Sequence, residues 1–176
     1  MKEYVNPWDY APHILKIIND GILLTTKADG EVDTMVIGWG TMGVEWKKPI
    51  FTVFVRQSRH TKDLLDKNPE FTVNIPLGEI DKDVLRVAGT MSGRDIDKVK
   101  ELGLTLVPGE TVSVPAIKEL PLTIECKVIY QQDQDLDALE ESCRTRCYKP
   151  GTDSENDFHT AYYGLITSAY ILKDEE

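Results

Sequence analysis

Apolar and polar residues change their period along this chain. Between residues 9 and 19, Ile14, Leu15, Ile17 and Ile18 fall at helical spacing, with Pro12 in the first turn and Gly21 as a stop signal. That stretch predicts a short helix. Residues 22–26 then read as a strand, Asp29-Gly30 as a turn, and residues 32–40 as the returning strand. Residues 50–55 are almost continuously apolar and rich in β-formers, which predicts a strand buried on both faces. Phe71, Val73 and Ile75 alternate with Thr72 and Asn74, and Leu122, Ile124, Cys126, Val128 and Tyr130 also share one face. Residues 160–172 form a last long β-like stretch.

Short helical patterns occupy residues 61–67, 82–88, 96–102 and 136–142. Strands do not alternate with regular long helices, so a doubly wound sheet does not fit. The pattern predicts a mainly β fold, a closed or split antiparallel β-barrel with peripheral helices, in one domain over residues 1–176. Residues 150–157 read as an exposed loop whose acids are solvated.

Composition narrows the class. With 41% hydrophobic and 28% charged residues in 176, the chain is too apolar for disorder and long enough to bury a core without disulfides. No apolar run reaches the ~18 residues of a membrane span, and the first residues lack a signal-peptide core. A soluble cytoplasmic protein is expected. A formal charge of −10 disfavours nucleic acid and anionic membranes as partners. Cys126, Cys143 and Cys147 form neither a disulfide framework nor a paired zinc motif, so no metal site is expected.

Two segments carry candidate chemistry. Gly38-Trp39-Gly40-Thr41-Met42-Gly43 matches G-x-G-x-x-G, yet only residues 44–49 separate it from the next strand. No crossover helix fits there, so the dinucleotide reading fails. The glycines mark either barrel curvature or a flat ligand lying on the main chain, with Trp39 as a wall. The second segment, Arg56-Gln57-Ser58-Arg59-His60-Thr61-Lys62, is cationic and stands where a strand ends and a helix begins. Ser58 is a natural N-cap. The run is either a cap with solvated arginines or an anion site built from guanidinium groups and first-turn amides. No hydrolytic set is visible, and His13, His60 and His159 are scattered, so any catalysis belongs to a bound cofactor and no side chain is assigned a catalytic role.

In this order the segments resemble the flavin reductase family with the FMN-binding split barrel. Residues 33–39 resemble its N-x-M-T-x-[GS]-W strand, residues 56–61 its R-x-S-R-x-T phosphate loop, and residues 71–76 its F-x-V-N-[IL]-P strand. Residues 92–98 are similar to S-G-x-x-x-D-K, and residues 121–126 to P-x-x-[IL]-E-C. The resemblance implies a Greek-key split barrel, a homodimer, and one FMN per subunit. It implies that Thr34, Met35, Val36, Ile37, Gly38, Trp39, Gly40 and Thr41 line the isoalloxazine, and that Arg56, Ser58, Arg59 and Thr61 hold the phosphate. Asn74, Ser92, Gly93 and Lys98 border the cofactor by the same resemblance. His159 is either close to the flavin or an ordinary strand-edge histidine. Two residues depart from the pattern: Asp33 replaces an amide, bringing a charge toward an electron-rich ring, and Val36 replaces a hydroxyl. The implied function is an FMN oxidoreductase that takes hydride from NADH or NADPH and passes electrons to flavin, a partner protein or a small molecule. A flavoredoxin-like carrier without direct NAD(P)H use and a flavin-free barrel module are the alternatives.

Overall fold

A computed structural model of the chain describes residues 1–174. The chain opens with β1 (Lys2–Tyr4) and α1 (Pro7–Ile17). The helix starts two residues before the periodic pattern, because the Asn6 side chain accepts the Trp8 N–H at 3.2 Å and Pro7 takes the first position. Pro12 therefore lies inside the helix rather than in its first turn. A 3-10 turn (Ile18–Asp20) and Gly21, at φ +109°, end it.

Strands β2 (Ile22–Ala28) and β3 (Glu31–Ile37) form the expected hairpin about Asp29-Gly30. The predicted strand 32–40 is divided, however: β3 stops at Ile37 and β4 (Gly40–Glu45) begins after Gly38-Trp39. β4 pairs with β5 (Lys48–Arg56) through a tight turn in which Trp46 and Lys47 take φ of 51° and 59°. Neither residue is a usual left-handed turn former, so nothing local announces this hairpin. In β5 the inner residues are buried, but Phe54 is only half-buried and turns outward.

Next come α2 (His60–Lys67), β6 (Glu70–Ile75), α3 (Lys82–Thr90) and α4 (Lys98–Glu101). The last helix is shorter than its pattern because Asp97 caps it, accepting the Lys100 N–H at 3.1 Å. A small ribbon of β7 (Leu106–Val107) and β8 (Ala116–Ile117) follows. β9 (Leu122–Asp133), α5 (Glu141–Cys147) and β10 (His159–Leu172) complete the chain. The helix expected over residues 136–142 is displaced to α5, because the Glu140 carboxylate caps the Cys143 N–H at 3.1 Å.

The main sheet runs β3-β2-β6-β9-β10-β5-β4, every pair antiparallel, with β1 added to the far end of β10. β5, β6, β9 and β10 lie in the spatial order β6-β9-β10-β5, which is a Greek key. The sheet curls around one core of Phe51, Val53, Phe71, Val73, Ile124 and Tyr162, closed at one end by Ile14 and Ile18. Curling needs close contact: a Cβ on Gly164 would stand 2.4 Å from Phe71 Cζ, beside a register shift in β10. A second cluster packs α3 and β8 on the outside of the sheet through Leu23, Val84, Ala88 and Ile117.

Candidate functional site

The strand ends converge where β3 and β5 finish and β10 begins. Two adjoining hollows open there. One, of about 240 Å³, lies between the start of α2 and the segment after α3, with Arg56, Arg59, Ser92 and Lys98 among its walls. The other, of about 180 Å³, lies over residues 35–39 with Phe54 and His159. Arg56 and Arg59 line both.

The first hollow is cationic. Arg59 Nη2 donates to the Gly89 carbonyl at 2.9 Å, which anchors the guanidinium across the hollow to the end of α3. Burial and the neighbouring Arg56 charge both lower the Arg59 pKa, so the two cations oppose one another. An anion between them relieves that cost. Arg56 is held at the rim, donating to the carbonyls of Cys147 at 3.0 Å and Asp157 at 3.3 Å.

Four sequence expectations change here. Ser58 does not cap α2: Arg59 holds the N-cap position without a side-chain bond, and Ser58 gives both its N–H and its hydroxyl to Asp157. Asp157 is thus half-buried and paired rather than a solvated loop acid. Thr61 spends its hydroxyl within the wall, donating to Asp33 Oδ2 at 2.6 Å. Asp33 itself brings no free charge toward the second hollow, since Lys98 Nζ lies 2.9 Å from its Oδ1 in a pair that is almost completely buried.

The second hollow is flatter, with apolar side chains beside Arg56, Arg59 and His159. Met35, Val36, Ile37 and Gly38 supply the floor, Trp39 and Phe54 the sides. His159 packs against Trp39 with ring centroids 4.7 Å apart, and its Nδ1 is hydrogen-bonded to the Tyr148 hydroxyl. Burial, reinforced by Arg56, pushes the His159 pKa down to about 4, so the ring is neutral at pH 7. The two glycines separate in role. A Cβ on Gly40 would meet Ile18 Cδ1 at 2.7 Å, so Gly40 serves barrel packing, whereas Gly38 has ordinary space and faces the hollow.

Most of the expected residues meet at these hollows: Met35 through Trp39, then Arg56, Ser58, Arg59, Thr61, Ser92, Gly93, Lys98 and His159. Thr34, Gly40, Thr41 and Asn74 do not. Thr34 is buried and donates to the Leu24 carbonyl at 3.2 Å, while Thr41 is exposed on β4 opposite Thr52. Asn74 is a structural clamp. Its Nδ2 donates to Thr25 and Thr72, and its Oδ1 accepts the Ile117 N–H at 2.9 Å, tying β6 to β2 and β8. Phe54, Tyr148 and Asp157 were not expected. Only Phe54 had a signal, as the outward position in an apolar run.

The flavin reductase like domain model matches residues 18–176. The chain belongs to the flavin reductase like family. Among relatives, an uncharacterized protein of Archaeoglobus fulgidus is 38% identical over 94 residues, 50% of this chain and 52% of that one. The chain thus spans only about half the length of that relative. The uncharacterized protein YddH of Escherichia coli is 30% identical over 162 residues, covering 89% of this family member and 74% of YddH. Among solved structures, flavoredoxin from Methanosarcina acetivorans superposes with a TM-score of 0.65 at 26% identity, over 87% of this chain and 68% of that one.

Proposed function

We propose that the protein binds FMN without a covalent bond and works as an oxidoreductase, accepting hydride from NADH or NADPH. The observation that carries this reading is the junction, through Arg56 and Arg59, of a cationic hollow with a flatter one lined by residues 35–39 and Phe54. A ligand with a phosphate at one end and a planar ring at the other suits that pair, which is the shape of FMN. When bound, FMN supplies the redox chemistry.

The chain's own residues bind and orient. Arg59 and Arg56 hold the phosphate, helped by the His60 and Thr61 N–H groups in the first turn of α2. Ser58 joins them only when Asp157 lets go. Trp39 and Phe54 keep water from the ring, and neutral His159, its Nδ1 engaged by Tyr148, leaves Nε2 as its remaining polar atom. A homodimer is part of the same reading: Val44 on the edge strand β4 and Trp46 in the turn after it, with Ile129 and Tyr130 on β9, leave an apolar surface that a second copy covers. Electrons leave to free flavin, a partner protein or a small molecule.

The resemblance to flavoredoxin supports a second reading, an electron carrier reduced by another protein. One anaerobic experiment separates the readings. The purified protein, loaded with FMN, is titrated with NADH and then NADPH. Bleaching of the flavin absorbance supports the reductase; a flavin that binds but resists both nucleotides supports the carrier. No FMN binding at all leaves a flavin-free barrel.

A further inference from the structure

Asp33 and Lys98 form an ion pair with side chains 3% and 2% exposed, Nζ to Oδ1 2.9 Å. The carboxylate's other oxygen accepts the Thr61 hydroxyl at 2.6 Å. Gly93 lies so close that a Cβ there would stand 2.5 Å from Oδ1 and 2.7 Å from the His60 ring. The pieces of chain that wall the cationic hollow therefore meet at one carboxylate: β3, the first turn of α2, the Gly93 loop and the start of α4. The family resemblance places an amide at this position, so the charge departs from that pattern.

Lys98 faces a crowded set of charges. Asp33 comes from β3 and Arg59 from the turn before α2. His60 on α2 is engaged by Glu31 and Asp63, and Asp97, beside Lys98, is spent on the α4 cap. A buried ammonium next to a guanidinium gives up its proton unless an anion touches it. Among the described residues, Asp33 is the anion that touches it.

We propose that Asp33 is a positioning residue that keeps Lys98 protonated in the wall of the cationic hollow, giving that hollow a fixed positive charge for a phosphate-bearing ligand. The ligand's identity as FMN rests on the function proposed above; the hold of Asp33 on Lys98 does not. With Asp33→Asn, Thr61 keeps an acceptor but Lys98 loses its anion. Ligand phosphate must then bring a proton with it, and affinity becomes pH-dependent by up to about tenfold per pH unit.

The first measurement needs no ligand. Lysine side-chain NMR on the whole protein follows Lys98, assigned by loss of its signal in Lys98→Met. Burial holds the Lys98 pKa below the usual lysine range while Asp33 opposes that fall, so Lys98 is expected to titrate clearly lower in Asp33→Asn than in the wild type. The second is calorimetric titration with FMN at pH 8 in two buffers of different ionisation enthalpy. Wild type takes up no proton, Asp33→Asn takes up about one, and the Asp33→Asn/Lys98→Met pair takes up none. Riboflavin shows no uptake in any of them. A wild-type Lys98 that is already neutral at pH 7, or a folded Asp33→Asn in which Lys98 titrates as it does in the wild type, overturns the proposal. If Asp33→Asn does not fold, the wild-type titration decides. Wild type that fails to bind FMN while Lys98 behaves as expected refutes the flavin reading and leaves the role of Asp33 standing.

Discussion

The carboxylate of Asp157 sits on Ser58, its Oδ1 accepting the Ser58 N–H at 2.9 Å and its Oδ2 the hydroxyl at 2.7 Å. Arg56 Nη1 lies 3.8 Å from the same Oδ2. An internal anion thus holds donors that the sequence motif offers to a phosphate. Asp157→Ala frees them and removes a repelling charge. FMN affinity is expected to rise by about threefold to tenfold, since one or two net hydrogen bonds are regained, with riboflavin unchanged. Fluorescence titration of both flavins checks it, and an equal gain for riboflavin would place the effect on the ring instead.

Arg59→Ala removes a guanidinium that lines both hollows. Charge-assisted contacts contribute about 1.5 to 3 kcal/mol, so FMN binding should weaken by on the order of tenfold to a hundredfold. Riboflavin, which has no phosphate, should lose little. Equal losses for both ligands would show that Arg59 supports the fold or the ring rather than the phosphate.

His159 makes stability depend on pH. Its pKa falls from the usual 6.5 to about 4 on folding, so between those values the unfolded chain binds more protons. Stability then rises with pH across that window: the contribution is complete above about pH 6.5 and is lost as pH falls toward 4. The loss amounts to about 2 to 3 kcal/mol. His159→Gln, which offers Tyr148 a neutral partner, should flatten this part of the profile. Urea midpoints at pH 7 and pH 5 for both proteins test it; parallel profiles would show that His159 is not the titrating group.

Two strand glycines should respond oppositely to alanine. A Cβ at Gly164 runs into Phe71 Cζ and Cys126 Cβ, whereas at Gly43 it meets nothing within 4 Å. Gly164→Ala is expected to cost about 2 kcal/mol through overpacking. Gly43→Ala should be neutral or stabilising by about 0.5 kcal/mol, because it reduces the freedom of the unfolded chain. Chemical denaturation reads both, and a harmless Gly164→Ala would mean the bulge in β10 can relax.

The sequence alone determined the strands β2, β5, β6, β9 and β10, because alternation and β-branched runs follow from the two-residue repeat of an extended chain. It also determined the cationic run at residues 56–62, since like charges adjacent in sequence stay adjacent in any fold. Tertiary structure decided which of those groups remain available to a ligand. Ser58 finds its acid 99 residues away and Thr61 finds Asp33 28 residues back. Asn74 sits in a family motif yet spends its amide on Thr25, Thr72 and Ile117. The β4–β5 turn is set in the same way, with Trp46 packing on Tyr130 and Tyr163 while it and Lys47 take left-handed backbone. Periodicity is a property of the local backbone, whereas a polar group's partner depends on which loops meet once the sheet has curled and water has been removed from between them.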